Sequence, residues 1–490
     1  MKKMSKKLLL VIGLSLSGMY GAVAQQDPNG DGKWSLEEAV IYARENNLNV
    51  RQSKLNQRVS EIDVKQSKFE RLPSLNAGGN YTFNSGSFQN PVTFGLLTQN
   101  AQTASIQANS SLPVFSGFQQ VNQIKQNLLE LQASELDYLS AQNEATIDVV
   151  TSYLNILFVK EQIGLAELQR ELTRQQLDRT RILFEAGTLA ENSVLDLESQ
   201  LATDELDLIS VQNQGDIARL GLIQLLNLPA NQSFEIVVPE IPEPDQNPIL
   251  VSPNQVYDVA VQTLPLVKAT DLRILSAGKA LDVARGAYYP RLSLFAGINS
   301  RYSNTTDFVI GRETVVDGFR EQTFFLDKDG REPFVVFVPN ASIKEISESY
   351  PIIDQFKDLV GKQVGVSLQV PIFNGLQVRS GVERAKVAQQ NAQLNAEITR
   401  NNLRQTIEQA YVDARAAQRR YLAAKEQVAA AQKNFNNAQL RLNNGIINTI
   451  EYNIVANSLR SAQSSLIQAK YDYFFKEKVL DFYQGEDISF

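Results

Sequence analysis

Leu112-Pro113-Val114-Phe115-Ser116-Gly117 recurs 258 residues later as Val370-Pro371-Ile372-Phe373-Asn374-Gly375. Both copies keep a proline, an aromatic residue and a glycine at the same spacing. A duplicated segment of this kind predicts that one structural unit occurs twice in the chain. Further pairs at the same offset are Tyr153 with Tyr411, Gly187 with Gly445, and Leu201 with Leu459.

Upstream of this segment the offset is smaller, because Pro73 corresponds to Pro290 at a distance of 217 residues. Two constant offsets indicate two gap-free blocks and an insertion of 258 − 217 = 41 residues. We therefore predict repeat 1 at residues 25–245 and repeat 2 at 246–490. The insertion should form an extracellular surface loop at about residues 304–360.

Each repeat has the same predicted order of elements. A helix of about 35 residues comes first, and capping boxes at Ser35/Glu38 and Ser252/Gln255 mark its start. Two short strands follow, then a long helix that runs to a glycine, and a second long helix that returns. Residues 376–441 contain no proline, and a helix of these 66 residues would be about 100 Å long. A coiled-coil spacer explains its apolar stripe as well as a channel wall does.

Four segments of about nine to eleven residues alternate apolar with small or polar residues. This pattern is typical of membrane-spanning strands, and also of a half-buried sheet in a soluble domain. About eight strands are the minimum for a barrel, so the membrane interpretation requires an oligomer. Two copies would give 2 × 4 = 8 strands and a filled interior, whereas three would give 3 × 4 = 12 and leave a lumen. The apolar positions include Leu75, Ala77, Tyr81, Ala104, Ile106, Ala108, Leu292, Leu294, Ile298, Val364, Val366 and Leu368.

The composition removes several classes of chemistry. The chain has 490 residues, a net charge of −7, and neither cysteine nor histidine. This excludes Cys/His zinc sites, disulfides and histidine-dependent catalytic triads. A net acidic chain without a concentrated basic stretch is also a poor candidate for binding nucleic acid.

The first 24 residues have the features of an export signal. Four lysines precede the apolar stretch Leu8 to Leu16, and Ala22-Val23-Ala24 supplies a cleavage pattern. Cleavage would leave a mature charge of −7 − 4 = −11. Since no later stretch has 18 unbroken apolar residues, we expect an exported protein that is soluble or meets a membrane as β-strands.

The duplicated strand ends, the order of the elements and the turns at 184–188 and 442–446 together resemble the TolC family of outer-membrane efflux channels. The resemblance covers residues 34 to about 484. It implies a mainly α fold with a membrane β-barrel contribution: a homotrimer with a 12-stranded barrel and a 12-helix periplasmic tunnel. It also implies a location in the outer membrane of a Gram-negative bacterium, in contact with its lipid.

The same resemblance implies partners and no catalytic residues or cofactor. The partners would be a periplasmic adaptor (membrane fusion protein) and an inner-membrane pump of the resistance-nodulation-division or ABC class. The exit duct of a type I protein secretion system is an alternative within this family. An exported structural coiled-coil protein, a carboxylate-dependent hydrolase and a periplasmic adaptor are alternatives from other classes.

The resemblance also points to residues at the two helical turns. By resemblance, the adaptor should contact Gly187, Thr188, Leu189, Gly445, Ile446 and Ile447. In the family, acids six and nine residues after the second glycine ring the periplasmic constriction. Here these positions hold Glu451 and Ile454, and the first turn has Ser193 and Asp196. We expect Glu451 to form the gate, with Asp196 as the second candidate, although Glu451 could equally be an acid in the first turn of a helix.

Residues 27–38 fit the spacing of an EF-hand calcium loop. The candidate ligands are Asp27, Asn29, Asp31 and Glu38. The competing interpretation is that Glu38 only caps the first helix together with Ser35, because repeat 2 caps its helix without a comparable Asp/Asn run. Calcium therefore stays a prediction from ligand spacing alone.

Overall fold

The computed structural model describes residues 32–89, 96–229, 233–239, 252–304, 307–325 and 333–486. The predicted export signal, the first three calcium ligands and the boundary between the two repeats lie outside these residues. The predicted mainly α fold with additional strands is confirmed. Within the described residues, none of the helices is both long enough and apolar enough to cross a membrane.

The first half of the chain consists of a strand pair between helices, with a short strand at each end. The two helices after the strands are much longer than the two before them. In order the elements are β1 (Lys33–Trp34), α1 (Leu36–Asn46), α2 (Leu48–Phe69), β2 (Ser74–Gln89), β3 (Leu96–Ser116), α3 (Gln119–Glu185), α4 (Glu191–Leu225) and β4 (Glu235–Ile236).

The second half repeats this order with an insertion between its strands. Adding 217 to the first and last residue numbers of α1 and α2 gives the bounds of the first two helices of the second half. Adding 258 to those of α3 and α4 gives the bounds of its last two helices. The elements are α5 (Pro253–Thr263), α6 (Pro265–Gly286), β5 (Arg291–Ser303), β6 (Asp307–Phe325), β7 (Pro333–Ser349), α7 (Ile352–Asp358), β8 (Gly361–Gln369), α8 (Gln377–Asn443) and α9 (Thr449–Tyr483).

The prediction of a single opening helix of about 35 residues was wrong, because each repeat has two shorter helices there. The capping boxes at both helix starts are confirmed. The break falls at Asn47, where ψ is 136°, and its side chain accepts a hydrogen bond from the Asn49 backbone at 2.9 Å. In repeat 2 the break falls at Leu264, because a residue before proline is disfavoured in the α conformation.

The four strands β2, β3, β5 and β8 form one antiparallel sheet in that order. Its cross-strand pairs bring the predicted apolar positions together on one face, which confirms the alternation. One row across the sheet is Ala77, Ala108, Ile298 and Lys362, and the next contains Gly79, Ile106 and Ser300. In the described chain, β2 and β8 each pair on one side only, so both edges of the sheet are unpaired.

The insertion forms a long hairpin of β6 and β7 rather than the predicted loop. Its register shifts at two points, between Val309 and Gly311 and between Val316 and Phe319. Each bulge interrupts the two-residue period of apolar and polar side chains, so the sequence of these strands does not show a regular alternation. Helix α7 then packs on β5, where the buried Gln355 amide accepts from the Ser303 N–H at 2.9 Å and donates to its carbonyl at 3.0 Å.

The described residues fall into two compact units, a sheet unit of residues 62–128 and 276–389 and a helical unit of the remaining residues. The core of the helical unit surrounds Trp34, whose ring lies against Phe234 and Tyr42 at centroid distances of 5.9 and 5.2 Å. Tyr153 donates to the Trp34 carbonyl at 3.0 Å, and burial raises the pKa of its hydroxyl. These contacts anchor the short parallel pair of β1 and β4 on the long helices.

Candidate functional site: the turns of the two helical hairpins

The turn between α3 and α4 is a Schellman motif centred on a glycine. Gly187 has φ of 74°, in the left-handed region that glycine adopts without strain. Its N–H donates to the Phe184 carbonyl at 2.8 Å, and the Thr188 N–H donates to the Leu183 carbonyl at 2.9 Å. These bonds satisfy the carbonyls at the end of α3 and reverse the chain.

The turn between α8 and α9 has the same geometry. Gly445 has φ of 68°, and its N–H donates to the Leu442 carbonyl at 3.0 Å. The Ile446 N–H donates to the Arg441 carbonyl at 2.9 Å. The predicted chain reversals at the two glycines are therefore confirmed, and each hairpin ends in an equivalent turn.

The predicted docking residues do not share one environment. Thr188 is exposed, as are Leu189 at 38% and Ile446 at 65% of their full surface. Ile447 is only 8% exposed, so it is the least accessible of the six, and its contact with an adaptor stays a prediction. It packs inward at the position equivalent to Leu189, and this burial leaves Ile446 as the large apolar side chain presented by the second turn.

Glu451 lies in the first turn of α9 and is exposed. Its N–H donates to the Asn448 side-chain oxygen at 2.8 Å, so Asn448 caps the helix. The equivalent cap position in repeat 1 is Ala190, which offers no side-chain bond. Asp196 is exposed on α4, and in the described part of the chain neither carboxylate takes part in an ion pair. Both acids are therefore free to face solvent or a symmetry-related copy.

The residue after Glu451 packs against α8. The Tyr452 ring lies 5.5 Å from that of Phe435 on α8, and burial raises the pKa of its hydroxyl. These two rings help line a cavity of 190 Å³ between α3, α8 and α9, beside Arg460. Because Tyr452 packs against α8, it fixes the rotation of the first turn of α9, and Glu451, about 100° away around the helix, is left exposed.

The sequence reasoning missed a buried ion pair that links the two hairpins. The fully buried Asp204 on α4 accepts a bond from Thr173 on α3 at 2.6 Å and lies 3.2 Å from Arg460 on α9. Arg460 also lies 3.4 Å from the half-exposed Asp207. Comparing the repeats could have pointed to this pair, because each charged residue corresponds to an alanine in the other repeat. Asp204 corresponds to Ala462, and Arg460 corresponds to Ala202.

Two further polar contacts join α9 to α3. The Tyr471 hydroxyl donates to a Glu161 carboxylate oxygen at 2.5 Å, and the Ser464 hydroxyl donates to the Gln162 side chain at 2.9 Å. Burial, with the nearby Glu161 charge as a smaller cause, raises the pKa of Tyr471. Together with the pair at Arg460, these contacts tie residues 460–471 of α9 to the first hairpin.

The structure describes only one of the proposed calcium ligands. Glu38 accepts hydrogen bonds from the backbone and the hydroxyl of Ser35 at 2.9 and 2.8 Å, so its carboxylate serves the capping box. Among the described residues, no cluster of carboxylates converges on a possible metal position. The calcium prediction concerns residues outside the described range and stays a prediction.

Duplicated hairpins, equivalent turns and a sheet with one apolar face define a class of membrane channel built mainly from helices. A profile of the outer membrane efflux protein family matches residues 41–228 and 357–485. The chain belongs to this family, and it is an efflux channel protein of the outer membrane.

Individual relatives are distant in sequence. Outer membrane protein TolC of Escherichia coli K12 is 21% identical over 481 residues, which cover 97% of this chain and 85% of that protein. Outer membrane efflux protein BepC of Brucella suis is 21% identical over 439 residues, covering 89% and 82%. Similarity that extends over most of both chains shows that neither half of this chain is an unrelated addition.

Solved structures share the fold. The outer membrane protein VceC of Vibrio cholerae has a TM-score of 0.68 at 14% identity, over 93% of this chain and 97% of that chain. The CmeC outer membrane channel of Campylobacter jejuni has a TM-score of 0.68 at 16% identity, over 93% and 87%. At such identities the likeness describes architecture, and the roles of individual residues have to come from this chain.

Proposed function

We propose that three copies of this chain form an outer-membrane channel, which passes small molecules delivered by an inner-membrane pump through a periplasmic adaptor. Family membership supports the efflux function. The observation that supports the assembly is the open sheet, whose edge strands β2 and β8 each keep a row of backbone donors and acceptors unpaired among the described residues of one chain. A neighbouring copy can satisfy both rows.

The duplication indicates how the copies pair. Within one chain, β3 of repeat 1 pairs with β5 of repeat 2. The repeat equivalent of β3 is β8 and that of β5 is β2, so β8 of one copy should pair with β2 of the next in the same way. Ala108 opposes Ile298 in the first pairing. Applying the two offsets, 108 + 258 = 366 and 298 − 217 = 81, predicts that Val366 opposes Tyr81 of the neighbouring copy.

The strand ends support the same arrangement. In repeat 1 the Phe115 ring packs on Phe118 at 5.3 Å, and Phe118 packs on Tyr289 at 6.4 Å. The equivalent segment of repeat 2 is bare, since Ile372 and Phe373 are 94% and 84% exposed. The apolar segment is partly covered in repeat 1 and almost fully exposed in repeat 2, so a second copy would bury the repeat 2 surface.

Aromatic residues also border the apolar face at a suitable spacing. Tyr81 and Tyr302 share a row with Ala104 near one end, and Phe115 lies 115 − 104 = 11 residues along β3 near the other. Eleven residues span about 36 Å along the strand, or roughly 26 Å in height at a tilt of about 45°. This agrees with an apolar band about 25 Å tall between two aromatic girdles.

Disulfide cross-linking tests the assembly directly, because the chain has no cysteine of its own. With Val366→Cys and Tyr81→Cys combined, oxidation should produce a covalent trimer on a denaturing gel. The matched control combines Val366→Cys with Thr82→Cys, whose side chain points to the opposite face of the sheet, and should remain monomeric. A covalent dimer alone, or no cross-link in the first variant, would contradict the proposed assembly.

The two turns are the proposed docking surface for the adaptor. Their exposed residues are Gly187, Thr188, Leu189, Gly445 and Ile446, so a trimer would present six turns. We assign the partners to a membrane fusion protein and to a pump of the resistance-nodulation-division or ABC class, as the family resemblance implies.

Glu451 is the proposed gate. Its exposure and its position six residues after Gly445, in the first turn of α9, support this role. Three carboxylates around a threefold axis would repel one another, raise the local negative potential and attract cations to the constriction. Asp196, exposed on α4, is the alternative source of such a ring.

A further inference from the structure

The hairpin of β6 and β7 has one exposed apolar face. The two strands form a sheet of their own, in which directly opposed residues share a face. The apolar side chains on one of its faces include Val316, Phe319, Val335, Phe337, Ala341 and Ile343. All of them except Ala341 are 51–70% exposed, so this face lies open within one chain.

The chain itself supplies little cover for this face. Among the described elements, β6 and β7 pack extensively only on each other. A two-stranded hairpin is marginally stable in water unless another layer packs on it. Phe319 and Phe337 alone leave about 250 Å² of apolar surface per copy in water. The hairpin also lies between the two segments that match the family profile, so family membership does not assign its partner.

The edges of the hairpin are unsuited to adding another strand. Pro339 in β7 has no N–H to donate, and β6 has bulges next to Val309 and Val316. Prolines and bulges are features that protect edge strands from pairing with another chain. A partner of this hairpin therefore contacts its faces.

Two neighbouring residues give the faces opposite charges at the same height. Glu321 opposes Phe337 on the apolar face, whereas Arg320 opposes Val338 on the other face. The hairpin has an ion pair between Arg312 and Glu345 at 3.0 Å, but neither Arg320 nor Glu321 has a charged partner in the described part of the chain. Stacking two such hairpins in parallel would bring an anion of one to a cation of the other.

The position of the hairpin puts three copies within reach of one another. It follows β5 and precedes α7 and β8, at the end of the sheet opposite to α3 and α8. Twelve strands about 4.8 Å apart and tilted by about 45° give a barrel circumference of about 80 Å, so neighbouring hairpins would start about 27 Å apart. The 17 residues of β7 extend about 55 Å, roughly twice that separation.

From the uncovered apolar face and the unpaired charges on opposite faces, we propose that the hairpin binds the hairpin of a neighbouring copy, so that three hairpins form a closed ring outside the barrel. Contacts around a threefold axis join two different surfaces. The apolar face of one copy packs on the other face of the next, where Val336 and Val338 are half-buried. Glu321 of one copy then pairs with Arg320 of the next. This inference rests on the proposed trimer.

Disulfide cross-linking of the full-length protein tests the contact. Arg320→Cys combined with Glu321→Cys should give a covalent trimer on oxidation, because these side chains point apart within one chain and can meet only between copies. The matched control combines Arg320→Cys with Gln322→Cys, which places both cysteines on the same face, and should stay monomeric. No cross-link or only a covalent dimer in the first variant, or a trimer in the control, would overturn the proposal.

Charge reversal tests the pairing without cysteines. Glu321→Arg should separate the hairpins and speed chymotrypsin cleavage after Phe319 and Phe337 roughly fivefold. Adding Arg320→Glu to this variant swaps both charges and should restore the wild-type rate. Equal cleavage in the wild type and the single reversal, or no restoration in the double reversal, would contradict the ring.

The cross-link between residues 366 and 81 reports separately on the barrel. It should form in both charge variants, because the barrel strands pair without the hairpins. If this cross-link forms while the hairpin cysteines do not react between copies, the ring of hairpins is wrong and the trimer stands. If it fails with the natural hairpin as well, the proposed trimer itself is wrong.

Discussion

Asp204 on α4 and Arg460 on α9 form an ion pair at 3.2 Å in which the carboxylate is fully buried. The two residues are 256 positions apart in the chain, and neither has a charged counterpart in the other repeat. The pair therefore breaks the symmetry of the duplication at the point where the second hairpin contacts the first. A buried charge requires its partner, so this contact fixes the position of α9 against α4.

Removing the buried carboxylate should loosen this contact. Asp204→Ala leaves Arg460 with Asp207 alone and should destabilise the protein by about 3 kcal/mol, the lower end of the cost of breaking a buried pair. Asp207→Ala is the matched control, and since this acid is half exposed it should cost less than about 1 kcal/mol. Limited proteolysis and thermal unfolding measure both, and equal effects of the two substitutions would contradict the assignment.

Replacing the glycine before each of the two longest helices by alanine should affect different steps, the folding of one chain in repeat 1 and the assembly of the copies in repeat 2. Gly117 has φ of 62°, and an added Cβ would lie 2.2 Å from the Gly286 carbonyl oxygen, so Gly117→Ala should prevent each chain from folding. Gly375 has φ of 60° with open space around it. Gly375 is the equivalent of Gly117, and the equivalent of Gly286 is Phe69, because 286 − 217 = 69. In the proposed trimer, Phe69 of the neighbouring copy would therefore lie beside Gly375.

Gly375→Ala should therefore give folded chains that assemble poorly. Protease resistance of the single chain and the yield of the 366–81 cross-link distinguish the two stages. The same defect in both variants would contradict the proposal that Gly117 is packed within its own chain and Gly375 against a neighbouring copy.

Tyrosine ionisation should limit stability at alkaline pH. Because the pKa of Tyr471 is raised in the folded state, folding keeps its proton, and this contribution is complete below the ordinary value of about 10. It is lost as the pH rises further through the folded-state value. Tyr471→Phe should cost about 1 kcal/mol at pH 7 through the lost bond to Glu161. The melting temperature of the variant should fall less steeply than that of the wild type above pH 10.

Docking on the turns predicts a loss of export without a loss of structure. Ile446→Asp places a charge on the most exposed apolar side chain of the second turn and should abolish export of a pump substrate. Ile446→Leu keeps the apolar contact and is the control that should export normally. Both variants should form the covalent trimer, and normal export by the aspartate variant would place the adaptor elsewhere.

A gate made of Glu451 predicts a change in ion selectivity. Purified trimers in planar bilayers should be cation-selective and blocked by trivalent cations added from the periplasmic side. Glu451→Ala should relieve the block and reduce selectivity, while Asp196→Ala should leave both unchanged. The reverse result would move the acidic ring to Asp196, on the helix after the first turn.

Much of the local structure follows from the sequence because its causes are local. The capping boxes at Ser35 and Ser252 and the glycines at 187 and 445 end helices through bonds within a few residues, so spacing alone predicts them. The apolar alternation along the four strands likewise has a period that the chain displays directly. The duplication then supplies a second, independent measurement of each helix boundary.

Other features depend on contacts that the chain makes only after folding. Three features depend on contacts between different helices and strands. They are the burial of Ile447 beside the exposed Ile446, the pairing of Asp204 with Arg460, and the packing of α7 on β5. The hairpin of β6 and β7 has two bulges that erase its pattern. Local propensity acts over one or two turns, whereas these positions are selected by which surfaces meet, and only the tertiary structure decides that.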